Sequence, residues 1–124
     1  MKTEKTIDTN TLIAEAASSE HKEAYKILDR NADYRIGVGA RTAPPNHPSF
    51  FVEILIYLSR DDNKADLRIL ERSLTCLKEL QARNFKTVFQ DDNCVSCEAQ
   101  VSGEKLESEY DLTKSLVQSI FSET

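Results

Sequence analysis

Two segments with two-residue periodicity constrain this chain more than anything else in it. Tyr34, Ile36, Val38 and Ala40 alternate with Arg35, Gly37, Gly39 and Arg41. Phe50, Val52, Ile54, Ile56 and Leu58 alternate with Phe51, Glu53, Leu55 and Tyr57. Successive side chains on a strand point to opposite faces, so each segment reads as a β-strand with one apolar row. The second is apolar on nearly both sides and belongs in the middle of a sheet. Between them stand Pro44, Pro45 and Pro48, which exclude helix and ladder pairing and make the connection a stiff loop.

The remaining pattern is helical at three places. Leu12, Ile13, Ala16, Ala17, Ala24, Ile27 and Leu28 recur at three- and four-residue steps, with Thr11 or Asn10 as cap and an interruption at Ser18-Ser19-Glu20. After Asp61 and Asp62 a long helix carries a stripe of Leu67, Leu70, Leu74 and Leu77, widened by Ile69 and Leu80, and closes at Asn84. A last helix buries Leu112, Leu116, Val117, Ile120 and Phe121, with Ser108 and Asp111 as a loose capping box. A hairpin joins 85–89 to 94–102 through Asp91-Asp92-Asn93, with Val95, Cys97, Ala99 and Val101 inward. The expected fold is therefore α+β, in the order α-β-β-α-β-β-α. It is a two-layer sandwich of a mainly antiparallel four-stranded sheet with helices on one face. Residues 1–10 are expected as a flexible N-terminus, and 11–124 as a single domain.

Charge narrows the partners. The net charge of −5 equals that of residues 84–124 alone, with 3 basic and 8 acidic groups. Nucleic-acid binding needs a basic stripe to neutralise phosphate, and none is present, so neither nucleic acid nor an anionic membrane surface is an expected partner. No apolar run approaches the roughly 18–20 residues of a membrane span. Three cysteines, with no apolar leader near the N-terminus, point to reduced thiols in a cytoplasmic protein.

Chemistry-bearing motifs are few, and no catalytic residue is assigned. Cys94-x-x-Cys97 is the candidate thiol or metal pair, with Cys76 as a further thiol. Positions i and i+3 of a strand face opposite ways, which weighs against a shared ligand. Gly37-Val38-Gly39 has Thr42 where a dinucleotide fingerprint needs its third glycine, and prolines where it needs a helix. Two glycines on one strand face instead leave room for an aromatic such as Phe51 or Tyr57. Asn46 and His47 make the proline-rich loop a candidate recognition loop. No cofactor is expected.

The most informative feature is a surface. If the helices cover the Ile36, Val38, Val52, Ile54 and Ile56 face, the opposite face presents Phe51, Leu55 and Tyr57 beside Gly37 and Gly39. Arg35, Arg41 and Glu53 form its rim. An apolar island with a charged rim has the make-up of a dimer or partner interface. The element order over roughly residues 11–122, the acidic balance and the C-terminal strand–turn–strand–helix layout are similar in outline to the type III secretion chaperone-like fold. That resemblance implies a small homodimer that binds protein segments. A rearranged ferredoxin-like sandwich has the same string of elements. The expectation is a non-enzymatic protein-interaction or chaperone-like module, homodimeric or bound to a protein partner. Its alternatives are a thiol or metal protein using Cys94 and Cys97, and a small-molecule-binding regulatory domain.

Overall fold

A computed structural model describes residues 7–42, 48–58, 67–91 and 93–122. The chain is α+β, a two-layer sandwich whose open antiparallel sheet has five strands. Helix α1 spans Thr9–Ser18, and three strands follow: β1 (Glu23–Arg30), β2 (Tyr34–Arg41) and β3 (Ser49–Tyr57). Helix α2 (Leu67–Ala82) precedes the hairpin of β4 (Lys86–Gln90) and β5 (Cys94–Val101). A 3-10 turn at Gly103–Lys105 leads into α3 (Leu106–Ser122). Spatial order is β1-β2-β3-β5-β4, with every neighbouring pair antiparallel. Strands β3 and β4 therefore run parallel on either side of β5, and α2 makes the crossover that such a pair needs.

The alternating rows fall as expected. Tyr34, Ile36, Val38 and Ala40 of β2 join Phe50, Val52, Ile54 and Ile56 of β3 and Val95, Cys97 and Ala99 of β5 in one buried layer. Leu12 and Ala16 of α1, Cys76 and Leu80 of α2, and Leu106, Tyr110, Val117 and Phe121 of α3 close over it. Burying apolar area at about 25 cal/mol per Å² makes this one-sided layer the main favourable term of the fold.

Four expectations change. The sheet has a fifth strand, because 23–30 is not helical. The chain leaves α1 at Ser19, turns through Lys22 at φ 60° and enters β1. Ala24 and Leu28 do face the core, and a bulge between Ile27 and Asp29 shifts the register of the row. Their four-residue spacing mimics a helix, yet pairing along the outer edge of β2 satisfies backbone groups that would otherwise form an open edge. Second, the packed fold takes in residues 7–10. Ile7 is buried, and Asp8, not Asn10 or Thr11, caps α1 by accepting from the amides of Asn10 (3.0 Å) and Thr11 (3.2 Å).

Third, α3 starts earlier and is rotated. It buries Leu106, Tyr110, Thr113, Val117 and Phe121, while Leu112 is 49% exposed and the Ser108 hydroxyl donates back to the Lys105 carbonyl of the preceding 3-10 turn. Fourth, α2 is also rotated: it buries Ile69, Ser73, Cys76 and Leu80, and not the leucine stripe. Its end is as expected. Asn84 adopts φ 72°, with bonds from Asn84 N–H to Gln81 and from Phe85 N–H to Leu80, which drops Phe85 into the core.

Candidate interaction surface

All three helices lie on one face of the sheet, and the other face is sheathed by its own side chains. Phe51 sits on that face and is only 1% exposed. The Arg41 guanidinium lies 4.1 Å from its ring centre on one side. The Tyr25 ring lies parallel to it at 6.3 Å between centroids. The glycines make the room. A Cβ at Gly39 would overlap the Phe51 ring, and one at Gly37 would meet the Tyr25 hydroxyl and the Lys26 carbonyl. The glycines thus clear space for aromatics, with Tyr25 in the role sequence alone would assign to Tyr57.

Around this aromatic pair runs a charged network. Glu53 and Glu98 stand directly opposite each other on β3 and β5. Arg41 neutralises the second, with Nη1 and Nη2 donating to its two carboxylate oxygens at 2.6 and 2.7 Å, and Nη2 also reaches Glu23 at 3.3 Å. Bidentate geometry of this kind is the strong form of an ion pair. It raises the Arg41 pKa, chiefly through the bond to Glu98. Glu53 accepts from the Ser96 hydroxyl at 3.0 Å. Tyr25 Oη and Arg35 Nε are buried in this network without a hydrogen-bond partner of good geometry. Burial, then the neighbouring Glu53, holds the Tyr25 phenol well above its ordinary range.

The apolar part of the face is displaced toward one corner. Leu55 and Tyr57 are half-buried. Leu55 pairs with Ser96, and Ser96 with Phe89 of β4. A bulge at Val88 turns two consecutive large residues outward, and Val88 and Phe89 are each 52% exposed. Strand β4 is the sheet's outer strand, and all five of its residues are exposed. Seven residues were expected together here: Arg35, Gly37, Gly39, Phe51, Glu53, Leu55 and Tyr57. All seven share the face, but Phe51 and both glycines lie beneath it. Tyr25, Val88, Phe89 and Glu98 complete it. Tyr25 escapes a sequence reading because its segment carries a helical period; the apolar pair of Val88 and Phe89 has its signal in the strand pattern itself.

The other candidates are separate. Cys94 pairs with Tyr57 on the open face, and Cys97 pairs with Ile54 in the core, so the Cys-x-x-Cys pair is split across the sheet. Burial pushes the Cys76 thiol up to about 12 and raises those of Cys97 and Cys94, the last aided by Asp91. None is an activated thiolate. Among the described residues no three His, Cys, Asp or Glu side chains gather at a point. Asn46 and His47 lie outside the described residues. A depression of about 640 Å³ between the β1–β2 turn and the end of α3 is lined by Asn31, Tyr34, Gln118 and Phe121, among others, and opens broadly to solvent. Among the described residues no helix is long and apolar enough to cross a membrane.

No protein-family model, curated protein or solved structure matches this chain.

Proposed function

We propose that this chain is a non-enzymatic, chaperone-like protein-interaction module that acts as a homodimer in the cytoplasm. The observation that carries the reading is the corner where Leu55 of β3 and Phe89 of β4 stand on either side of Ser96, with half-buried Tyr57 and exposed Val88 nearby along an exposed outer strand. Exposed apolar side chains next to unpaired strand backbone suit an extended partner segment, which takes its affinity from main-chain bonds and its specificity from alternate side chains. The unpaired state of all three cysteines suits a reducing compartment.

Two measurements test the reading. Light scattering after size-exclusion chromatography, across a concentration series, is expected to show a mass near twice 14.0 kDa. A monomer at every concentration removes the homodimer from the proposal. Selection from a random peptide display library is expected to enrich extended apolar sequences that the Leu55→Asp, Tyr57→Asp double variant no longer binds. No enrichment, or binding unchanged in the double variant, overturns this surface.

A further inference from the structure

We infer that the dimer contact is α2 packed antiparallel against α2 of a second copy, an inference that rests on the homodimer reading above. Leu67, Leu70, Leu74 and Leu77 are spaced three, four and three residues apart, the a/d spacing of a two-helix seam. This stripe is not the one the domain uses for its own core. The helix turns Ile69, Ser73, Cys76 and Leu80 inward and leaves Leu67 76% and Leu74 57% exposed, with Leu70 and Leu77 half-buried between the two faces. The choice runs against simple hydropathy. Ser73 is buried with its hydroxyl unpartnered while its neighbour Leu74 stands in water. A burial site outside the domain resolves that inversion.

Charge selects the occupant and its direction. Glu71 and Lys78 are both exposed, and at about 100° per residue both flank the stripe on the side away from the domain's core. They are seven residues apart, so they stand in line two turns from each other. When a second α2 runs antiparallel with Leu74 near the twofold axis, Glu71 of each copy comes opposite Lys78 of the other. In a parallel pairing the same flank of the two copies falls on opposite sides of the seam, so neither charge would meet its complement. One helix thus carries both halves of a self-complementary contact, as a twofold interface requires. The sheet corner at Leu55 and Phe89 stays available to a different partner.

The test uses the full chain and reads solution mass. Leu67→Asp with Leu74→Asp is expected to give a monomer with unchanged circular dichroism, since both side chains are already exposed. The single changes Glu71→Lys and Lys78→Glu are each expected to weaken dimerisation about five- to tenfold, and the two together to restore it. Leu74→Cys is expected to form a disulfide-linked dimer under mild oxidation, where the parent chain does not. This readout does not depend on the aspartate variants folding. A dimer that survives Leu67→Asp/Leu74→Asp but is lost in Leu55→Asp/Tyr57→Asp overturns the α2 contact and leaves the homodimer reading intact. Absence of the Leu74→Cys cross-link, or a charge-reversed pair no better than its single changes, overturns the antiparallel arrangement. A parent chain that is monomeric throughout overturns both.

Discussion

Arg41 covers Phe51 and holds Glu98 at the same time: its guanidinium lies 4.1 Å from the ring centre and donates to both carboxylate oxygens, at 2.6 and 2.7 Å. A single side chain does for this face of the sheet what a layer of helices does for the other. Its long stem and planar head keep water from one side of the ring, next to the stacked Tyr25, and its charge neutralises Glu98, which stands opposite Glu53. Arg41→Ala uncovers the ring and leaves Glu98 opposite Glu53 without its cation. The arginine side chain is 38% exposed, so solvent screening discounts the ionic part. The expected loss is about 1–2 kcal/mol, read as a lower urea midpoint with unchanged slope. Arg41→Lys is expected to fall between, because a lysine keeps the charge but not the fork. Equal stability of Arg41→Ala and the parent would show that the face is sealed by something else.

Gly39 is the second support of that arrangement. Its missing side chain is the space the Phe51 ring occupies, and the Ala24 carbonyl closes the same site from β1. Gly39→Ala forces the ring or the β1–β2 ladder to move. Overpacking of this kind costs about 1–3 kcal/mol. Combining Gly39→Ala with Phe51→Leu is expected to lose less than the sum of the two changes, since the smaller side chain vacates the contested volume. Strict additivity in thermal melts would argue against a direct clash.

What was legible in the sequence follows the two-residue period. The rows Tyr34–Ala40, Phe50–Ile56 and Val95–Ala99 are unambiguous because every second residue is apolar over several steps, and all three rows are buried. Strand β1 was hidden because Ala24 and Leu28 keep a helical interval while its strand character comes from the neighbour it pairs with, which a local pattern does not contain. The helix faces are ambiguous in the sequence for a different reason. Hydropathy ranks Leu74 above Ser73 and Leu112 above Thr113, and the packed molecule reverses both choices. Rotation of a helix about its axis depends on what it meets, and neighbouring candidate stripes lie only a fraction of a turn apart. For the open face, alternation assigned Phe51 to the correct side, but Arg41 and Tyr25 folding across it is a lateral relationship between strands.

Ser73 supplies a test of the α2 rotation inside the monomer. Its hydroxyl is buried and unpartnered, a state that carries a desolvation cost with no bond to offset it. Ser73→Ala removes the polar atom and is expected to be neutral or stabilising by up to about 1 kcal/mol, the opposite of the usual sign for a change at a buried position. A loss of stability in denaturant melts would mean that the hydroxyl has a partner.

Thiol accessibility reads the same helix from the other side. Cys76 and Cys97 are buried, and burial raises both pKa values, Cys76 to about 12 from 9.0. In the folded chain both are expected to resist iodoacetamide at pH 8, with modification rising only under unfolding conditions. The raised values also set a sign for stability. The unfolded Cys76 ionises near 9.0 and the folded one near 12, so the contribution is fully present below pH 9 and is lost as pH climbs through that interval. Rapid labelling of Cys76 in native buffer, located by mass spectrometry, would contradict the orientation of α2.

Asp91 sets the opposite pH dependence, at the tip of the β4–β5 hairpin. Its Oδ1 accepts from the amides of Asn93 at 2.8 Å and Cys94 at 2.9 Å, and these bonds hold its carboxyl below the ordinary 3.8. The folded value is depressed, so the contribution of the carboxylate is complete above pH 3.8 and disappears as pH falls through the lower folded value. The group is fully exposed, so the effect is local to the turn. Protection of the Asn93 and Cys94 amides against exchange, measured by NMR relative to the intrinsic rate at each pH, is expected to fall on acidification below pH 3.8, ahead of amides in the middle of β5. In Asp91→Ala the two amides are expected to lack that protection at every pH and so to lose the acid transition. Asp91→Asn keeps an acceptor oxygen without the charge. It is expected to retain partial protection with no acid transition, which separates the geometry of the turn from its electrostatics. Acid-dependent exchange that persists in Asp91→Asn would assign the transition to a different carboxylate.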